Sequence, residues 1–344
     1  MQLHINKYGT YVHVKDGMFE IRRKEDDGTL FTKPFSAQKV THIIMTTGTM
    51  LSTDAIKLAM MNNVDIVFLE QNGSPIGRVW HSKLGSTTKI RKCQLEISMN
   101  TEGLRWVKVW LVLKLENQLN FIKDLKKHRP QHVDFLNDKI TKIENLVVSI
   151  SLQEGKTTSD VADTLRGLEG TAGRLYFETL SYVLPSESQF KGRSSRPAND
   201  AFNAFLNYGY GILYSKIEKA LIIAGIDPYL GFLHRDDYNQ LSMVYDFIEP
   251  YRIYVDEVVF RLFSGKKVNK AHSDVHTKGV SLNAEGKKLL IEAFNKFMDE
   301  DTIRHRGKNH TRSNAIQYDS HIFANAILGN NSDPQKLTID KTEI

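Results

Sequence analysis

The chain has 344 residues, 41% of them apolar and 25% charged, an ordinary mixture for a folded protein that excludes collagen-like, mucin-like and wholly disordered architectures. At about 100–200 residues per domain, this length predicts two domains or three. Lys and Arg outnumber Asp and Glu by 46 to 40, a net charge of +6, which allows a polyanionic partner without requiring one.

The first 80 residues read as strands. Tyr11-Val-His-Val alternates, Thr41–Thr46 and Val64–Leu69 are short β-branched runs, and Gly17, Gly28, Gly48 and Gly73-Ser-Pro supply turns. One helix is inserted at Thr53–Met61, with Ser52 as its N-cap. From Leu104 the pattern becomes helical: Leu104–His128 stops before Pro130, and further helices are expected near 132–150, 159–182, 198–224, 238–263, 284–298 and 313–328. The expectation is an α+β protein, with a small β-rich N-terminal domain over 1–82, a basic linker over 83–100, a larger all-α domain over 101–330 and a polar tail over 331–344.

A single cysteine, Cys93, excludes an intramolecular disulfide and a multi-thiolate metal site. With no secretory leader and no run near the roughly 18 apolar residues of a membrane span, the expected location is cytoplasmic. There is no P-loop, Gly-x-Ser-x-Gly elbow or His-Glu-x-x-His pair, and Gly209-Tyr-Gly211 lacks the third glycine of a dinucleotide fingerprint. Nucleotide-driven motors, common serine hydrolases and zincins lose most of their support.

Three places combine chemistry-bearing residues with a broken local rule. In 238–263, Asp246 and Glu249 are i, i+3 neighbours on the flank of an apolar stripe, beside Pro250, which costs a helix interior about 3 kcal/mol unless the helix kinks or breaks. Two such carboxylates repel unless a cation or proton intervenes. The neutral alternative leaves both as solvated helix-face residues, and the segment by itself favours it. His234 ends the apolar loop that begins at Gly225, just before Asp237-Tyr-Asn-Gln240, which resembles a capping box; singly, such a histidine is more often a hydrogen-bonded core residue than a ligand. Glu169 sits among Gly167, Gly170 and Gly173, glycines that disfavour a helix by about 1 kcal/mol each but permit close approach of a backbone or a ligand. Tight helix packing, with Glu169 paired to Arg166 or Arg174, accounts for this segment locally. One histidine and several carboxylates, each at the edge of a core stripe, form a mixed oxygen and nitrogen set that suits manganese or magnesium.

The basic residues are concentrated. Residues 261–312 hold twelve Lys or Arg against six acids, while the other 292 residues balance at 34 to 34. Lys266, Lys267 and Lys270 mark a phosphate-contacting loop, and Lys287 and Lys288 follow it. A charge run is usually a solvated face, but beside a metal site it points to nucleic acid.

Four motifs, in this order, carry a resemblance: Glu169-Gly-Thr-Ala-Gly-Arg-Leu-Tyr, Arg193-Ser-Ser-Arg-Pro-Ala-Asn-Asp with the residues to Tyr210, Gly225-Ile-Asp-Pro-Tyr-Leu-Gly-Phe-Leu-His234, and Tyr245-Asp-Phe-Ile-Glu-Pro-Tyr-Arg252. Together they resemble the CRISPR-associated spacer-acquisition integrase family; Ser74-Pro-Ile-Gly77-Arg and Gly279-Val-Ser-Leu-Asn also fit it. The resemblance implies a Mg2+- or Mn2+-dependent DNA integrase and endonuclease, homodimeric through its β-rich domain, that assembles with a small CRISPR-associated partner into a heterohexamer and joins captured DNA ends into a repeat array. It implies Glu169, His234 and Glu249 as metal ligands and catalytic residues, with Asp246 auxiliary. Arg193, Arg196 and the lysines above are then expected to hold DNA phosphates. The chain departs from the pattern in having Glu at 249, where some relatives have Asp, and Gly after Glu169, where Ala is frequent. A general branched-DNA nuclease or transposon-type integrase of the same fold, and a metal-free DNA-binding scaffold, are the alternatives. The short polar tail after the last helix argues for the array integrase.

Overall fold

Apolar side chains on one face of each N-terminal strand draw the strands onto a common core of Leu3, Ile5, Val12, Phe19, Ile43, Met45 and Ile66. The computed structural model describes residues 2–25, 27–40, 42–69, 75–79, 87–195, 197–234, 238 and 240–329, and the chain divides into two units, Met1–Leu84 and Gly85–Ile344.

The first unit holds strands β1 (Gln2–Ile5), β2 (Tyr11–Lys15), β3 (Met18–Lys24), β4 (Leu30–Ser36), β5 (His42–Thr46), β6 (Met50–Leu51), β7 (Asp65–Leu69) and β8 (Pro75–Val79), with helix α1 (Thr53–Met61) between β6 and β7. They form two four-stranded sheets, ordered β1-β5-β7-β8 and β4-β3-β2-β6. The β2–β3 hairpin turns on Asp16-Gly17, both at positive φ (49° and 72°), a two-residue turn whose twist matches that of its strands. Helix α1 has the predicted bounds, and the Ser52 side chain caps it by accepting from the Ala55 amide.

The second unit is dominated by helices: α2 (Thr87–Ser98), α3 (Thr101–Lys127), α4 (Val133–Ser151), α5 (Ala162–Val183), α6 (Ala201–Ala224), α7 (Ser242–Phe247), α8 (Ile253–Ser264), α9 (Ala284–Asn295) and α10 (Arg312–Ile327). Trp110 of α3 is central, packing on Phe232, Phe247 and Phe323 at ring separations of 5.8, 5.8 and 5.2 Å. Two expectations are corrected, and one that was left open between a kink and a break is resolved. The unit is not all-α, because hairpins β9–β10 (Ser273–His276, Gly279–Leu282) and β11–β12 (Thr302–His305, Lys308–Thr311) interrupt it; β9 buries no residue, so alternation gave it no signal. Helix α2 lies inside the span read as a linker. The 238–263 helix breaks at Pro250 into α7, a 3-10 turn at Glu249–Tyr251, and α8, because proline removes an intrahelical donor and its ring clashes with the preceding turn. Gly73-Ser74, Lys83, Arg196, Asp237, Asn239 and the 331–344 tail lie outside the described residues. Among the described residues, no helix is long and apolar enough to cross a membrane.

Candidate metal centre

Helix α5 buries Leu165, Ala172, Tyr176 and Leu180 along one stripe and leaves Glu169 at its edge, with the side chain 30% exposed. The neighbouring glycines do not serve tight packing: a Cβ added at Gly167, Gly170 or Gly173 would meet nothing within 4 Å. They form a bare wall, and Gly170 and Gly173 line a cavity of about 1010 Å3 together with Lys114, Glu169, Arg174 and Arg252. The expected local partner is also corrected. Arg166 instead holds Asp163 at 3.0 Å and donates to the Leu233 carbonyl at 2.6 Å, and the cation on Glu169 is Lys114, arriving from α3.

Lys114 occupies a core position of α3, beside Trp110, Leu111 and Leu115, and its side chain is 8% exposed. Its Nζ contacts Glu169 Oε1 and lies 2.6 Å from Glu249 Oε2. Glu249 sits on the turn that Pro250 creates, and Asn117, one α3 turn beyond Lys114, donates to the Pro250 carbonyl at 2.8 Å to pin that turn. Arg252 closes the group. It donates through Nε to Glu249 Oε1 at 2.9 Å and through Nη1 to the Tyr214 hydroxyl at 3.2 Å, with its guanidinium over the Tyr210 ring at 5.1 Å. The solvated-face explanation of 246 and 249 therefore fails, because Asp246 and Glu249 are 2% and 4% exposed.

The His234 loop is fixed from several sides. Gly225 ends α6 in the left-handed region (φ 84°), and Gln94 of α2 grips the following turn, donating to the Asp227 and Leu230 carbonyls and accepting from the Asp227 amide. Asp246 then gathers the loop end: its carboxylate accepts from the backbone amides of Phe232, Leu233 and His234 at 2.5, 2.9 and 3.1 Å and meets His234 Nδ1 at 2.6 Å. Gly231 is required for this approach, since a Cβ there would lie 2.6 Å from the Ser242 side chain and 3.1 Å from Asp246 Oδ2. With Nδ1 committed to Asp246, Nε2 is the ring nitrogen left to face a cation. Asp246 thus stands behind the imidazole.

The charges agree with this geometry. Burial opposes ionisation of Glu249, but Arg252 and Lys114 outweigh it and hold the carboxyl down at about 2. Burial likewise disfavours charge on His234, and the hydrogen bond and charge of Asp246, helped by Glu249, overcome it and raise the imidazole's proton affinity. Further along, Asp256 is fully buried with one oxygen 2.5 Å from the Tyr210 hydroxyl; burial prevails there and pushes its carboxyl up to about 6.

Glu169 and Glu249 converge on one cation, and His234 and Asp246 pair with each other. Among the described residues, no three His, Cys, Asp or Glu side chains gather closely enough to hold a metal ion as they stand. The donor chemistry nevertheless fits a divalent ion. Two carboxylates already share a positive charge, and Glu249 Oε2, though buried, receives that charge without a hydrogen bond of sound geometry.

The expected DNA-contacting residues divide. Lys266, Lys267, Lys270 and Lys288 are exposed, and Lys287 lies 5.7 Å over the Tyr208 ring. Arg193 lines the cavity and is braced by Asn203 and by the rings of Phe177 and Tyr210. Arg312, counted in the basic stretch, is buried, donating to the Phe297 carbonyl at 2.9 Å, and serves packing. Sequence reasoning missed Lys114, Gln94 and Asn117; the available signal was a lysine in a position that the α3 periodicity assigns to the core.

A family model described as CRISPR associated protein Cas1 matches residues 3–296. The chain is 31% identical to CRISPR-associated endonuclease Cas1 1 of Archaeoglobus fulgidus over 92% of its own length and 93% of that protein. In fold it is similar to a casposase bound to integration product (TM-score 0.75, 21% identity, covering 99% of this chain and 96% of that one). It is also similar to a chain of a Cas6-RT-Cas1-Cas2 complex (TM-score 0.75, 18% identity, covering 99% of this chain and 36% of that one).

Proposed function

The chain belongs to the Cas1 family of CRISPR-associated proteins, and on that premise we propose that it is the integrase and endonuclease of CRISPR adaptation. It joins the 3′-hydroxyl ends of captured DNA fragments into a repeat array by transesterification, without a covalent enzyme intermediate. The observation that carries this reading is the convergence of Glu169 and Glu249, distant in sequence, on a single positive charge at the wall of a cavity lined with Arg174, Arg193 and Arg252.

Glu169, Glu249 and the Nε2 of His234 are the groups that hold Mg2+ or Mn2+. When bound, the ion supplies Lewis-acid polarisation of a phosphoryl oxygen and a lowered pKa for the attacking hydroxyl. Asp246 fixes the tautomer and direction of His234, as carboxylates behind metal-binding imidazoles do. Arg252 keeps Glu249 ionised, and the exposed lysines of 266–288, with Arg193 and Arg196, retain phosphates. The N-terminal unit forms the homodimer, and a small CRISPR-associated protein completes a heterohexamer in the cytoplasm; the Cas6-RT-Cas1-Cas2 complex of similar fold supports a partner of that kind.

Labelled oligonucleotides carrying a repeat junction, incubated with manganese, test the proposal. Glu169→Ala or His234→Ala is expected to lower strand transfer by at least about a hundredfold while leaving DNA binding nearly intact. Full activity in either variant overturns the site assignment, cleavage without joined product favours a branched-DNA nuclease, and no calorimetric heat with manganese favours a metal-free scaffold.

A further inference from the structure

Lys114 is chemically odd for its place. A core position on α3 carries an ammonium beside a cavity that it helps to line, and that ammonium contacts both Glu169 and Glu249. Two carboxylates sharing a buried site cannot both stay charged without a counter-ion. Arg252 supplies one to Glu249 Oε1, whereas Lys114 takes the other oxygen of Glu249 and an oxygen of Glu169, the pair that a divalent ion needs. We propose that Lys114 is a resident cation that holds Glu169 and Glu249 facing each other and competes with the divalent ion for them, so that the ion binds only as the ammonium moves out into the cavity.

Three observations favour competition over a purely structural ion pair. Lys114 bridges two elements, α5 and the Pro250 turn, so its removal frees two carboxylates at once. The exit is open, because the α5 wall beside it is the bare face at Gly170 and Gly173. Arg252 and Asn117 hold the Glu249 turn independently, so the turn has other anchors when the ammonium leaves. Lys114 is accordingly a positioning residue, and its signature is a gain of metal affinity on removal, which loss of a structural contact does not produce.

The inference rests on the metal-site reading, and the experiment separates the two. Mn2+ affinity is measured by the free-ion paramagnetic resonance signal for the full chain and for Lys114→Met, Lys114→Arg and Glu169→Gln. Lys114→Met is expected to bind at least about tenfold more tightly than the unsubstituted protein, Lys114→Arg to stay within about threefold, and Glu169→Gln to bind weakly. In the unsubstituted protein, acylation of Lys114 mapped by mass spectrometry is expected to rise as Mg2+ is titrated, a readout that survives even if Lys114→Met does not fold. Unchanged or weaker binding by a folded Lys114→Met, or acylation that stays flat while Mg2+ binds, overturns the competition and leaves the metal centre standing. An unsubstituted protein that binds no Mn2+ overturns both.

Discussion

Glu249 and Asp256 lie on consecutive short elements, both are almost fully buried, and their carboxyls are pushed in opposite directions. Burial is the largest influence on each, and it disfavours the charged form. At Glu249 two cations, Lys114 and Arg252, overcome it. At Asp256 the neighbours are mainly hydroxyls: Tyr210 donates to one oxygen, and Tyr176 also acts on the carboxyl. The charges of Arg252 and Arg193 favour its ionised form but do not outweigh burial. The contrast teaches that a buried acid in this unit is assigned its job by its partners. The end facing the cavity stays anionic, and the end facing the tyrosines is disposed to take up a proton.

The largest expected way to break that contrast is Glu249→Ala. It strips Lys114 and Arg252 of a buried partner, and equilibrium denaturation is expected to show a loss of about 3–5 kcal/mol; a loss below about 1 kcal/mol means that the ion pairs do not form in solution. Acid titration sharpens the comparison. Glu249 is depressed from an ordinary 4.5 to about 2, so its contribution is present above 4.5 and is lost as pH falls toward 2. Asp256 is raised from 3.8 to about 6, so the folded state binds a proton more readily than the unfolded chain, and stability due to this group falls as pH rises from about 4 to 6. The span is on the order of 3 kcal/mol, and Asp256→Asn is expected to flatten that part of the stability curve. An unaltered curve removes Asp256 from the account. The smallest effect is expected from Tyr210→Phe, a loss of about 1–3 kcal/mol accompanied by a further rise of the Asp256 pKa, read by the same titration.

The sequence revealed much of this where local rules suffice. Helix α1 and its Ser52 cap, the stop of α3 before Pro130 and the glycine end of α6 were all legible, because caps and breakers act over a few residues. The break at Pro250 was foreseen as one of two outcomes. The hairpins β9–β10 and β11–β12 were not: β9 buries no residue, and in β11 the inward positions are Ile303 and the polar His305, so the alternation of burial is not an alternation of apolar residues. At the site, the candidate acids and His234 could be singled out, but segment-by-segment reading favoured solvated carboxylates at 246 and 249 and packing glycines beside Glu169. The partners that enclose these acids come from elsewhere in the chain, Lys114 and Asn117 of α3 at the Glu249 turn and the 232–234 loop at Asp246, and no window along α5 or α7 contains them. Gln94 was hidden for the same reason, its partners lying in a loop far down the chain.

Asp246 has a consequence for how mutational data on this chain are to be understood. One carboxylate secures three consecutive amides and the imidazole that follows them, so the loop's shape and the histidine's tautomer have a common point of failure. Replacing it is expected to lower activity whether or not it ever touches an ion. A scan that scores only product would rank position 246 with the ligands, although both of its oxygens are already taken by the loop, Oδ2 by the Phe232 and Leu233 amides and Oδ1 by His234.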